Sequence, residues 1–279
     1  MLIQWFPGHM QKTRRLITEN LKLVDAVCEI IDARIPMSSR NPDFDELAGS
    51  KPRLIVLNRT DQADPEITKQ WSARFKSEGA AVIETDSKSG VGFAKFPIAV
   101  RTLLADRLRY YESKGQIGRR LRVMVVGIPN VGKSSFINRL AGKKAAKTAD
   151  KPGVTRGKQW IVIDKGVELL DTPGVLWPRF EDMTVAENLA FTGAIRDEVL
   201  DIETLGANLM ARLFIKNSQN IAERYKIEPD ADGFETLDRA ARKRGFLVSG
   251  GESDLVRMAV VLLDEYRAGK LGRITLEWE

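Results

Sequence analysis

Gly127-Ile128-Pro129-Asn130-Val131-Gly132-Lys133-Ser134 is the stretch that decides the reading of this chain. It fits the spacing G-x-x-x-x-G-K-[ST], and its surroundings suit that pattern. Before it runs Leu121-Arg122-Val123-Met124-Val125-Val126, an apolar, β-branched segment that reads as a strand. After it, Ser135-Phe136-Ile137-Asn138-Arg139-Leu140 reads as a helix. Strand, glycine loop and helix together make a phosphate cradle, because successive backbone N–H groups converge where the helix N-terminus adds positive potential. Asn130, Val131, Gly132, Lys133, Ser134 and Ser135 are therefore the expected phosphate-binding residues. Lys133 is expected to reach the β and γ phosphates, and the Ser134 hydroxyl to ligate Mg²⁺.

The chain has 279 residues, enough for a sizeable core and two domains. Its 43% hydrophobic and 29% charged content is that of an ordinary globular protein. Cys28 is the single cysteine and lies inside an apolar run, which excludes a disulfide framework and fits a reducing compartment. Residues 1–10 carry no basic-then-apolar signal, and no apolar run approaches the ~20 residues of a membrane span. A cytoplasmic protein with no membrane role is expected. The net charge of +6 favours an anionic partner.

Helical spacing of Leu16, Ile17, Leu21 and Val24 predicts a first helix over 10–23. Strands are expected at 27–31, 53–57 and 81–85, with a helix from Pro65 and a single helix over about 97–111. Residues 112–120 are polar, glycine-bearing and basic, and read as a linker. Two short strands, 160–163 and 167–170, follow the phosphate loop. From about residue 180 only helical patterns remain, at 185–192, 205–217, 236–243 and 253–268. The fold expected is a doubly wound α/β sheet over 1–179, with ligands at the strand ends, and a smaller all-α domain over 180–279.

Asn58 and Asp61, at the end of a strand, point to the base. A carboxylate there accepts hydrogen bonds from guanine N1–H and its 2-amino group, whereas adenine would leave it unsatisfied at about 1–3 kcal/mol. Ser87 and Lys88, one β-α unit later, form the second base-reading segment. Asp171-Thr172-Pro173-Gly174 supplies the motif expected beside the γ-phosphate. The order is unusual, because the base-reading half precedes the phosphate loop. Residues 112–120 would then join what are ordinarily the two termini, a tolerable change because termini of compact domains often lie close together.

These motifs resemble the circularly permuted GTPases of ribosome assembly. The resemblance covers nearly the whole chain. It is carried by Trp5-Phe6-Pro7-Gly8-His9-Met10, Asp32-Ala33-Arg34-Ile35-Pro36, the phosphate loop, Pro152-Gly153-Val154-Thr155, Asp171-Thr172-Pro173-Gly174, Lys243-Arg244-Gly245 and Ser249-Gly250-Gly251. It implies a P-loop GTPase sheet in circularly permuted order, hydrolysing GTP to GDP and phosphate. Ser134 and Thr155 are the implied Mg²⁺ ligands, with Asp171 acting through water and the Gly174 N–H sensing the γ-phosphate. Arg59 stands where the family usually has lysine, and its planar head is not equivalent. Guanine selectivity is expected to survive through Asp61, with nucleotide affinity the quantity at stake.

Val175 follows Gly174, where a hydrogen-bonding glutamine orients water in Ras-like enzymes. The resemblance implies that His9, the single histidine, swings toward the γ-phosphate; a packing role is the competing reading. Asn130 has two readings as well, a K⁺-binding residue or a stabiliser of its own loop. The implied partner is the large ribosomal subunit precursor, RNA and protein together, engaged by a monomer. Lys143, Lys144, Lys147, Lys151, Arg156 and Lys158 form one basic cluster, and Arg239, Arg242, Lys243 and Arg244 another. Two other functions compete: a P-loop kinase or metabolic GTPase, and a GTP-binding RNA scaffold that hardly hydrolyses.

Overall fold

Two neighbouring parallel strands carry the architecture, β1 (Ala26–Asp32) and β4 (Leu121–Gly127). All of β1 is buried, and in β4 only Arg122 is partly open, as befits strands covered on both faces. The computed structural model describes residues 10–149, 160–164, 166–174, 176–177 and 182–278. Its six-stranded sheet runs β3-β2-β1-β4-β6-β5. It is completed by β2 (Arg53–Asn58), β3 (Ala81–Glu84), β5 (Trp160–Val162) and β6 (Val167–Asp171), of which β5 alone is antiparallel to its neighbour. The half expected to read the base, β1 to β3, lies beside the half that carries the phosphate-loop motif, although it comes first in the chain. The register Cys28↔Leu54 and Cys28↔Val125 stitches the two halves into one sheet.

Alternation along the strands separates two cores. Cys28, Ile30, Val123 and Val125 face Phe96, Val100 and Phe136. Phe96 and Val100 belong to α4 (Lys95–Leu103), and Phe136 to α6 (Lys133–Ala149). On the opposite face, Val27, Met124 and Val126 meet Ile17 and Leu21 of α1 (Met10–Leu21) and Phe44 of α2 (Asp43–Ala48). Farther along that face, Ile31 and Leu57 meet Trp71 and Phe75 of α3 (Pro65–Ser77). Glu29 projects between these two clusters. It is buried yet bonded to Arg53 at 3.0 Å, and burial lifts its carboxyl above the ordinary value against the pull of Arg40 and Arg53.

Two expectations are corrected, and one short helix has no counterpart among them. The helix predicted over 97–111 is two, α4 and α5 (Ala105–Ser113), parted at the buried Leu104 (φ −108°, ψ 22°). α2 has six residues, too few to show a period in the sequence. The helix expected over 205–217 continues as α8 (Ile202–Tyr225), with a kink at Asn217 (φ −158°, ψ 57°). The Asn217 side chain accepts a bond from the Asn220 N–H, a local alternative to the helical ladder.

α7 (Met183–Phe191), α8, α9 (Gly233–Lys243) and α10 (Leu255–Arg267) follow the sheet. Each starts on an aspartate, Asp182, Asp201, Asp232 or Asp254, whose side chain accepts a backbone N–H of the first turn. After α10 the chain returns to the sheet. Ile274 N–H donates to Gln62 O at 2.9 Å and Leu276 N–H to Arg34 O at 2.8 Å. Glu277 accepts from the backbone N–H of Met37 (2.6 Å) and Ser38 (2.9 Å) and from Asn188 Nδ2 of α7 (3.1 Å).

Arg34 joins these parts. It is 1% exposed, donates to Asp32 through Nε (2.9 Å) and Nη2 (2.7 Å), and lies 5.3 Å from the ring centre of Tyr266 on α10. Despite burial, the Arg34 charge and hydrogen bonds hold the Asp32 carboxyl below its ordinary value. Replacing Arg34 by methionine strands a buried carboxylate and should cost about 3–5 kcal/mol in denaturant unfolding. The double variant Asp32→Leu with Arg34→Met should recover much of that loss. A single variant within about 1 kcal/mol of the parent would show the pair to be dispensable.

Candidate nucleotide-binding site

The C-terminal ends of β1, β2, β4 and β6 open onto one edge of the sheet, and the sequence-predicted groups meet there. The loop after β4 holds Asn130 at φ 59° and Gly132 at φ 95°, so its amides turn inward ahead of α6. Val131 is buried and anchors the loop, while Ser134 and Ser135 lie exposed in the first turn of α6. Gly132 is required as well as permitted: a Cβ there would strike Asn58 Nδ2 at 2.5 Å. Gly174 is confined more mildly: a Cβ there would sit 3.0 Å from the Pro129 nitrogen, a tight approach to backbone.

Asn58 is fully buried and holds both halves of the site. Its Nδ2 donates to Val131 O at 2.9 Å, and its Oδ1 accepts from Ser87 Oγ at 2.8 Å and Thr85 Oγ1 at 3.2 Å. One side chain on β2 thus fixes the phosphate loop relative to the segment after β3. Ser87 serves this joint with its hydroxyl. Lys88 is exposed, with its N–H donating to Asp86 Oδ1 at 2.7 Å.

Arg59 departs from the family's lysine, and the structure shows what its longer fork does. Held at φ 63°, it donates from Nη2 to Asn130 O at 2.8 Å, and its Nε stands 3.5 Å from Asp32 Oδ2. It therefore supports the phosphate loop and leans on the buried Asp32–Arg34 pair at once. Asp61 is exposed at the same rim. Partial desolvation of its carboxyl and then the Asp86 carboxylate raise its pKa above the ordinary value. Asp86 goes the other way; burial opposes it, but bonds from Ser89 and Lys88 hold it ionised.

Lys133 and Asp171 face one another in an ion pair across the loop. They bring a cation and a carboxylate to the place where phosphates and a metal are expected. Thr172 Oγ1 donates to Val125 O at 2.7 Å, fixing the turn that presents Gly174 beside Pro129. Asn130 Nδ2 donates to Gly193 O, just past α7, a contact outside its own loop. His9, Thr155 and Val175 lie outside the described residues, as do Lys151, Arg156 and Lys158 and the side chains of Lys143, Lys144 and Lys147.

Two features escaped the sequence. Arg139 of α6 donates from Nη1 to the carbonyls of Ser87 and Lys88 at 3.1 Å each and from Nη2 to Ser89, clamping the base-reading segment from behind. The second is the state of the later basic cluster. Arg239 lies 3.7 Å from Asp230 and 3.8 Å from Glu235, Arg242 donates to Asp238 at 2.8 Å, and Arg244 to Glu265 at 3.1 Å. Lys243 is exposed. The helix is less cationic than its sequence suggests.

Because Asn58 is buried and triply bonded, Asn58→Ala should leave Val131 O and the Ser87 hydroxyl without their partner, at about 1–3 kcal/mol. GDP affinity measured with a fluorescent analogue should fall about 10- to 100-fold. An affinity within about twofold of the parent would remove Asn58 as the joint of the site.

The family described as 50S ribosome-binding GTPase matches residues 122–226. Ribosome biogenesis GTPase A of Bacillus cereus is 46% identical over 99% of this chain and 94% of its own length. The Thermotoga maritima protein of that name is 34% identical over 99% of the chain and 94% of its own. The crystal structure of GNP-bound YlqF from T. maritima superposes with a TM-score of 0.67 at 32% identity, covering 96% of this chain and 98% of that one. With one site built across both halves of a permuted sheet and identity running the length of the molecule, the chain belongs to the ribosome biogenesis GTPase A family of circularly permuted GTPases.

Proposed function

We propose that this protein is a GTP-hydrolysing assembly factor for the large ribosomal subunit. It binds pre-ribosomal RNA in its GTP state and leaves after hydrolysis, acting as a cytoplasmic monomer. The observation that carries the reading is the Asn58 joint, whose bonds to Val131 and Ser87 tie the phosphate-loop motif to the proposed guanine-reading segments in a chain of this family. Among the described residues no helix is long and apolar enough to cross a membrane. The 180–279 region is the proposed RNA- and ribosome-contacting domain.

Guanine is read by Asp61, with Asn58, Arg59, Ser87 and Lys88 shaping the pocket. Asn130, Val131, Gly132, Lys133, Ser134 and Ser135 take the phosphates, and Gly174 senses the γ-phosphate. The donor set suits Mg²⁺. Among the described residues no group of three His, Cys, Asp or Glu could hold a metal, while Ser134 and Asp171 offer oxygen alone. Mg²⁺ accepts such sparse oxygen sites, keeping waters and phosphate oxygens as its other ligands. Ser134 and Thr155 would hold it directly and Asp171 through water. When bound it neutralises charge on the β and γ phosphates.

Attack on the γ-phosphate needs a positioned water, and Val175 has no group to hold one. His9 is the proposed water-positioning residue. Asn130 keeps two roles: its amide ties the loop to Gly193, and its carbonyl oxygen is the atom a K⁺ ion would use. The rival reading, a GTP-binding RNA scaffold with little hydrolysis, draws on the same Val175.

Turnover measured with and without large ribosomal subunits separates the two. Subunits should raise GTP hydrolysis by about tenfold or more, and co-sedimentation should be tighter with a GTP analogue than with GDP. Binding indifferent to the nucleotide, with no stimulated turnover, would establish the scaffold. K⁺ in place of Na⁺ should speed the reaction; equal rates would leave Asn130 with the tether alone. In single turnover, His9→Ala should retain GTP affinity and lose about 100-fold in rate. Unchanged turnover would remove His9 from catalysis.

A further inference from the structure

The segment joining the two halves, residues 114–120, lies at the opposite end of β4 from the phosphate loop. It gathers cations on aromatic faces. The Arg119 guanidinium lies 4.1 Å from the ring centre of Tyr111, Arg107 is 5.0 Å from the same ring, and Arg122 is 4.7 Å from Trp160. Beside them opens a concavity of about 520 Å³, lined by Gly118, Arg119, Arg120, Arg122 and Glu168. Glu168 is the sole carboxylate in that lining. It bonds Arg122 at 2.7 Å and lies 3.6 Å from Arg120, so two guanidinium groups share one charge. Arg119 donates to a neutral group, Gln116 Oε1, at 2.6 Å.

Three guanidinium groups against one carboxylate leave an uncompensated positive wall, with Arg119 and Arg120 exposed. Planar guanidinium forks match phosphate oxygens in pairs, and stacking on aromatic rings fixes them before a ligand arrives. A cationic groove tracks a nucleic-acid backbone, and the exposed guanidinium planes of Arg119 and Arg120 offer faces on which unpaired bases stack. The rings of Tyr111 and Trp160 are covered by cations, and Ile117 is the one large apolar side chain exposed within residues 114–120, a single residue against several guanidinium groups.

We propose that this join is a docking site for a single-stranded or looped segment of ribosomal RNA, independent of the bound nucleotide. The proposal rests on the reading of the protein as an RNA-associated assembly factor and adds a second contact to it. Its independence follows from position. The site stands at the N-terminal end of β4, whereas the loops that meet the γ-phosphate stand at the C-terminal ends of the strands. RNA held here would anchor the protein while the nucleotide face changes.

The test uses Arg119→Gln with Arg120→Gln in the full chain, leaving Arg122 on Trp160. Binding of purified large-subunit ribosomal RNA would be followed over a range of KCl concentrations, with GDP and with a GTP analogue. The expected result is a dissociation constant raised about tenfold in both nucleotide states, with the slope of log K against log salt reduced by about one to two. Intrinsic GTP hydrolysis and the thermal midpoint should not move. The lysine pair Arg119→Lys with Arg120→Lys should recover part of the affinity by restoring charge. A parent that binds RNA and a glutamine variant with the same constant and slope would overturn this site while leaving the assembly-factor reading intact. A parent that fails to bind RNA would overturn both. Binding to phosphatidylglycerol vesicles that depends on Arg119 and Arg120, with RNA binding untouched, would assign the face to a membrane and overturn it too.

Discussion

The buried pair of Asp32 and Arg34 is the constraint on which the rest of the structure depends. A guanidinium and a carboxylate taken out of water must satisfy one another, and the cost of separating them is large. That requirement fixes the end of β1. Tyr266 of α10 lies against Arg34, the tail beyond α10 bonds the Arg34 carbonyl, and Arg59 reaches Asp32 from the next strand. Sheet, helical region and nucleotide rim therefore share one polar centre.

From that centre the contacts run outward to the phosphate loop. Arg59 links Asp32 to the Asn130 carbonyl, and the Asn130 amide links the loop to Gly193. Gly193 in turn packs beneath Arg267 of α10, which donates to the carbonyls of Ala190 and Phe191 and pairs with Asp197. The loop of residues 127–134 is thus held by the helical region as well as by its own strand. In a chain of this GTPase family, the contact of Asn130 with Gly193 is a direct physical connection between the phosphate-loop motif and the part of the chain beyond the sheet.

The fold and the placing of the candidate site at the strand ends were legible because their signals are local. Gly127 to Ser134 is one continuous pattern, Asn58 and Asp61 lie three residues apart, and the helical stripe of α10 follows one period. What stayed hidden is long-range. Arg34 and Tyr266 are 232 residues apart, and no spacing announces that they will touch. The clamp of Arg139 on Ser87 to Ser89 joins an arginine on one helix to backbone carbonyls, groups every residue possesses. The later basic cluster misled for the opposite reason: Asp230, Asp238 and Glu265, which neutralise it, come partly from other elements.

The exchanged order of the two half-sheets has a consequence for synthesis on the ribosome. β1, β2 and β3 emerge together, but β1 is a central strand whose other edge waits for β4, about ninety residues later in the sequence. Until then the largely apolar edge of β1 stands unpaired, the kind of edge that recruits other strands. Glu29 and Arg53 sit on this early half, and a charged pair on one face makes stacking of two such nascent sheets costly. A newborn chain of this topology has to keep its first three strands solvated and apart from their neighbours until its second half arrives.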